Sequence, residues 1–184
     1  RWRARPSARS PSRTRPEATL RPAVPFDLAH LLDEGELDMA LLSTIHQLHA
    51  SYRSVPHIGV VSHGPVRSVL LHSKVPLEEI ETVALLQDSL SSSVLTKIVL
   101  EEFYGRRPRY RQYHLPVEQG LFLGEAVLTI GDVKYFVDHP AEYVFDLGEE
   151  WQKGAGLPFV YARWLVADHV DLSVVTPLLL EIKK

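Results

Sequence analysis

The sequence predicts an α/β protein. Three observations carry that expectation. Short β-type apolar runs alternate with helix-type segments from residue 25 onward. Gly, Pro and Ser clusters punctuate the junctions between them. The 184 residues are 45% apolar, enough for a sizeable core in one domain or two small lobes.

Residues 1–18 are Arg, Ser and Pro with few apolar side chains, so a disordered basic arm is expected. Thr19 to Val24 reads as a strand weakened by Pro22. Pro25 opens a helix with Phe26, Ala29 and Leu32 on one face, and Gly35 stops it. Glu36 to Leu42 reads as a buried strand, and Ser43 caps a helix reaching Ala50. That β-α-β-α opening is the pattern of a parallel sheet. Val55 to Val61 and Pro65 to Ser73 are the next strands, and Pro76 starts a short turn of helix. Thr82 to Leu86 is a strand running into the serine-rich turn Ser89–Ser93. A helix follows from Ser92 to Tyr104, ended by Gly105. Arg109 to Leu115 alternates like a strand, and 116–123 reads as a short helix. Glu125 to Ile130 is an apolar strand stopped by Gly131-Asp132. Glu142 to Asp146 is a strand, Leu147 to Lys153 a helix and Phe159 to Ala167 a long strand. Val174 to Lys184 closes as a helix with Pro177 near its start. Trp151 and Trp164 read as core rather than as a stacking platform.

Composition removes several functions. The absence of cysteine excludes disulfides and thiolate zinc sites. No apolar run approaches the roughly 20 residues that cross a bilayer. The basic start has no apolar segment after it of the kind a signal peptide carries, so a cytoplasmic location is expected. Six arginines fall in residues 1–16, leaving 14 bases against 23 acids in the rest, a net charge of −9. Such an acidic body argues against nucleic acid as a partner. His46 and His49 are three residues apart but lack a third ligand at metal spacing, so no metal and no cofactor is expected.

Open α/β sheets bind ligands beyond the carboxyl ends of strands, where helices begin. Ser43, the Ser91-Ser92-Ser93 turn and Gly131-Asp132 all fall at such positions. A helix start rich in hydroxyls suits a carboxylate, through free backbone N–H groups and the positive end of the helix dipole. The serines serve equally as plain helix caps, and Asp132 is either a ligand contact or a cap. The Gly-x-x-x-x-Gly-Lys spacing of a phosphate loop is missing, which argues against a nucleotide. Ser68 follows the Gly64-Pro65 break. Read as a strand residue it shares one face with Val66 and Leu70, and taken alone it is a small core hydroxyl.

Two stretches, Gly64-Pro65-Val66-Arg67-Ser68-Val69-Leu70-Leu71 and Gly156-Leu157-Pro158-Phe159-Val160, resemble the MqnA family. These are chorismate dehydratases of the futalosine route to menaquinone. Gly35-Glu36-Leu37-Asp38, Ser73-Lys74-Val75-Pro76-Leu77-Glu78, Ser92-Ser93-Val94, Ile130-Gly131-Asp132 and Asp146-Leu147-Gly148-Glu149-Glu150-Trp151 extend the resemblance over residues 19–167. It implies a fold like the type II periplasmic binding proteins, two α/β lobes with an interlobe cleft. Lobe 1 would be 19–85 with 158–184, and lobe 2 would be 86–157. It implies a lyase that converts chorismate to 3-[(1-carboxyvinyl)oxy]benzoate and water, as a monomer or homodimer. Ser68 matches the family's active-site serine, and Ser43, Ser91, Ser92, Ser93, Gly131 and Asp132 are expected to contact substrate. The chain departs from the pattern at three places. Arg3 in Arg1-Trp2-Arg3-Ala4-Arg5-Pro6 stands where the family has an active-site Asn. His46-Gln47 replaces an acidic-aromatic pair, and Ser91 replaces an Arg. The chain is expected to be divergent or truncated at both ends, with dehydratase activity weak or absent. The competing expectations are the sister enzyme MqnD, on the same fold, and a non-catalytic module that binds a small carboxylate.

Overall fold

A computed structural model describes residues 19–23, 25–49, 52–87, 89–114, 117–131 and 141–182. The chain divides into two compact units. The first holds residues up to 42, 46–58 and 163–184; the second holds 43–45 and 59–162.

In the first unit the sheet is built from residues 39–42 of β1 (Met39–Ser43), 163–166 of β8 (Phe159–Val166) and 53–58 of β2 (Arg53–Ser62), in the order β1-β8-β2. Strand alternation gives it two apolar faces. Ala40, Leu42 and Leu165 pack with Leu28, Ala29 and Leu32 of α1 (Pro25–Asp33). Val55, Trp164 and Val166 pack with Val175 and Leu179 of α6 (Leu172–Ile182). Gly35 takes φ +71° directly after α1, the left-handed conformation that ends a helix at little cost in glycine. The Arg53 guanidinium donates to the carbonyls of Ala167, Asp168 and Val170 and so holds the turn between β8 and α6. Residues 19–23 form no strand, in keeping with the missing N–H of Pro22. Pro177 lies inside α6 rather than at its start.

The second unit is built on a five-stranded sheet, β5-β4-β6-β3-β7. Its strands are β3 (Val69–Ser73), β4 (Thr82–Leu86), β5 (Arg109–Tyr113), β6 (Ala126–Ile130) and β7 (Tyr143–Asp146). The sheet is mixed: β4 runs parallel to β5 and β6, while β3 is antiparallel to β6 and β7. One face carries α3 (Leu90–Ile98) and α5 (Leu147–Ala155) over Val83, Leu85, Leu128 and Leu71. The other carries α4 (Val117–Leu123) over Ala84, Tyr113 and Val127. The helix expected to reach Tyr104 is α-helical only to Ile98 and continues as a π-helical turn, Val99–Phe103. The short α2 (Thr44–His49) follows β1 as expected from Ser43, whose Oγ accepts the Ile45 N–H at 3.2 Å.

The observed division does not follow the expected lobe boundaries. Residues 59–85 belong to the second unit, because β3 and β4 hydrogen-bond into the five-stranded sheet. The expected strand from Pro65 is also shorter. It begins at Val69, since the N–H groups of Val66 and Arg67 turn away to a carboxylate and Arg67 adopts φ +61°. Ser68 therefore sits on a loop and not on a strand face shared with Val66 and Leu70.

Candidate functional site

The register of the five-stranded sheet decides which residues meet. Val69, at the start of β3, pairs with Ile130 at the end of β6, and Leu70 pairs with Asp146 at the end of β7. Strands β4 and β6 are parallel, so β4 ends on the same side. One end of the sheet thus gathers the loop 64–68, Gly131, the start of α5 and the turn that opens α3. This is the carboxyl-end position where ligands of α/β sheets bind.

Asp146 organises that end. Its carboxylate accepts the N–H groups of Gly148 (2.9 Å) and Glu149 (3.2 Å), capping α5. The same carboxylate accepts Val66 N–H at 2.9 Å and Arg67 N–H at 2.6 Å. One side chain therefore fixes both the helix start and the loop that delivers Ser68. Gly148 is required beside it, because a Cβ there would lie 2.5 Å from the Gly64 carbonyl oxygen. Gly131, at φ +115°, donates its N–H to the Ser68 carbonyl at 2.9 Å. Ser68 and Gly131, singled out separately in the sequence, are thereby adjacent. The Ser68 hydroxyl is half-buried and lies 3.5 Å from the Val66 carbonyl oxygen.

The serines divide into two groups. Ser91 is buried and donates its hydroxyl proton to the Tyr161 carbonyl at 2.6 Å. That proton is then spent, so the 2.6 Å contact with Ser43 has Ser43 as donor. The relay runs from Ile45 N–H to Ser43 Oγ, to Ser91 Oγ, to Tyr161 O. Thr44 Oγ1 reinforces it with a bond to the Val160 carbonyl at 2.9 Å. Ser43 and Ser91, both expected to contact substrate, hydrogen-bond to each other and anchor the start of α3. Ser92, which is buried, and Ser93, half-buried, lie in the first turn of that helix. The two helix starts at this end differ. Asp146 occupies the donors of α5, whereas Ser89, at the cap of α3, makes no side-chain capping bond. Asp132 and Arg3 lie outside the described residues.

Tyr161 and Ser62 border the same loop. Burial pushes the Tyr161 phenol up from its ordinary pKa, with the neighbouring Ser62 hydroxyl acting the other way. Sequence reasoning missed Tyr161 and the double role of Asp146. Only the capping half of that role was open to detection, since Asp146 and Glu149 have capping-box spacing before an apolar-faced helix.

Fold and site together define a mixed α/β protein that offers, at one sheet end, a helix start with no side-chain cap among the described residues, a hydroxyl and glycine backbone. The chain belongs to the menaquinone-biosynthesis family, the MqnA family that its motifs resemble: the family model described as Menaquinone biosynthesis matches residues 12–182. A chorismate dehydratase of Thermus thermophilus is 34% identical over 161 residues, covering 77% of this chain and 59% of its own length. The chain thus spans about three fifths of the curated relative it matches. A structural-genomics protein from Archaeoglobus fulgidus shares the fold, with TM-score 0.56 at 15% identity over 87% of this chain and 60% of that one. A substrate-binding domain of a putative amino acid ABC transporter from Streptococcus pneumoniae aligns at TM-score 0.38 and 12% identity, over 84% and 70% of the two chains. Among the described residues no helix is long and apolar enough to cross a membrane.

Proposed function

We propose that the chain acts on chorismate as a dehydratase, giving 3-[(1-carboxyvinyl)oxy]benzoate and water. The observation that carries this reading is the start of α3, without a side-chain cap among the described residues and at the same sheet end as Ser68 and Gly131. Chorismate has two carboxylates, and backbone N–H groups at a helix start favour such an anion. Ser92, Ser93 and Gly131 contact substrate, and the Ser68 hydroxyl hydrogen-bonds to it. The relay through Ser43 and Ser91 holds the helix start in place, and Asp146 does the same for the Ser68 loop.

The reaction expels the ring hydroxyl and a ring proton, which leave together as water, and the ring becomes aromatic. The reaction is therefore downhill, and the protein's part is to orient the substrate and stabilise developing charge. In our proposal the enolpyruvyl carboxylate of the substrate takes the ring proton. An analogue that lacks this carboxylate, yet binds and dehydrates normally, would remove that step. Arg3, in place of an Asn, weakens turnover, because a guanidinium has no acceptor oxygen. That replacement also supports the second reading, a module that binds a small carboxylate without turning it over.

The test is to incubate the purified chain with chorismate and follow the aromatic product by chromatography, beside Ser68→Ala. Losing a hydrogen bond to a charged group costs about 1.5–3 kcal/mol, so the variant should be slower by roughly ten- to a hundredfold. Equal rates would refute the role of Ser68. Chorismate-dependent thermal stabilisation without product would favour the binding module.

A further inference from the structure

The opposite end of the five-stranded sheet carries a second polar feature. Thr82 pairs with Arg109 at the start of β4 and β5, whereas Leu86 pairs with Tyr113 at the other end. Five strand residues, roughly 16 Å, separate it from the α3 end. A cavity of about 290 Å³ opens there, lined by Ile80, Glu81, Gly105, Arg106, Arg107 and Arg109. Three guanidinium groups and one carboxylate give the lining a net charge of +2.

The local sequence builds this feature from fixed backbone. Gly105 takes φ +64° and reverses the chain after the π-helical turn. Arg106 N–H then bonds to the Leu100 carbonyl at 2.8 Å, and Arg109 N–H to the Glu81 carbonyl at 2.8 Å. Pro108 is buried between them, so Arg107 and Arg109 are held outward. Glu81 is held through its own N–H, which donates to the Glu125 carboxylate at 2.7 Å. Among the described residues no ion pair involves Arg106, Arg107 or Arg109. The nearby Glu101 accepts the Tyr110 hydroxyl instead. The concentration of charge is unusual for this chain. Lys97, Arg106, Arg107, Arg109 and Arg111 are five of the 14 bases that remain outside the arm of an otherwise acidic body. Three like charges beside a single carboxylate leave an excess that repels itself, and a bound anion relieves that cost.

We propose that this cavity binds a small phosphate-bearing anion of about the size of pyrophosphate. Guanidinium forks match phosphate oxygens in pairs, and three of them around one concavity suit a compact multivalent anion. The concave shape favours a small ligand over an extended polyanion. The site is separate from the chorismate-binding end and does not depend on it.

The experiment is calorimetric titration of the whole chain with inorganic pyrophosphate at fixed ionic strength. Saturable 1:1 binding that weakens with added sodium chloride is expected. Arg107→Gln/Arg109→Gln should weaken it at least tenfold with an unchanged melting temperature, as both side chains are exposed. Arg107→Gln alone, the milder change, should give a smaller loss in the same direction. Absence of saturable binding, or equal affinity in the double variant, would overturn the proposal. So would sedimentation with phosphatidic acid vesicles through the same arginines without any pyrophosphate binding, since the ligand would then be a lipid surface.

Discussion

Replacing Asp146 tests how the site end is held. Its carboxylate accepts four N–H groups, two from α5 and two from the loop before Ser68. Loss of a helix cap costs about 1 kcal/mol. Bonds from backbone to an ionised group are worth about 1.5–3 kcal/mol when shielded, and about half that where water can replace the carboxylate. Val66 is half-buried and Arg67 exposed, so the loop adds about 2 kcal/mol. Asp146→Ala should therefore lose about 3 kcal/mol. Asp146→Asn, which keeps one acceptor oxygen, should lose about 1–1.5 kcal/mol. With a urea slope of about 2 kcal/mol per molar, the alanine variant's midpoint falls by about 1.5 M. Hydrogen exchange at Val66 and Arg67 should accelerate in both variants, and more in the alanine one. If both stay within about 0.5 kcal/mol of the parent and neither amide changes its exchange, then Asp146 does not hold the loop.

Other outcomes follow from the same geometry. Ser91→Ala breaks the relay from Ile45 to Tyr161 and leaves a buried carbonyl without its donor, so urea unfolding should show a loss of about 1–3 kcal/mol. Gly148→Ala drives a methyl into the Gly64 carbonyl and should cost about 1–3 kcal/mol by the same measurement. Burial, helped by its hydrogen bond to Glu150, pushes Tyr104 up to about 12 from 10.0. The unfolded chain loses that proton first, so this contribution is intact below pH 10 and is lost as pH rises through 12. Urea midpoints should fall above pH 10, and less steeply in Tyr104→Phe. Arg3→Asn should raise chorismate turnover, read as product formed per unit time.

Much of the fold was legible because local signals agreed with tertiary ones. Thr82 to Leu86 is a strand with the expected bounds, and Gly35, Gly105 and Gly131 break the chain in positive φ where they were expected to. The failures share a cause, a distant partner. Nothing between Pro65 and Ser68 reveals that a carboxylate 80 residues away captures two of its N–H groups. Likewise, β3 and β4 read as ordinary strands of the first lobe, since strand pairing is a property of the sheet and not of the segment. Ser43 and Ser91 were found as hydroxyls at helix starts, which is correct. Their mutual bond, across 48 residues, could not be read from either segment. Ser68 is recognised through resemblance and Gly131 already from its place at a strand end, and backbone pairing explains why they meet.

The central claim is that the α3 end of the five-stranded sheet is where chorismate binds. The direct measurement is amide chemical-shift mapping of the labelled chain on adding chorismate. The account predicts shifts at Ser68, Val69, Leu90 to Ser93 and Gly131, with none at Arg106 to Arg109. Saturable binding whose shifts lie elsewhere, or no shift at the Ser68 and α3 end, would contradict it.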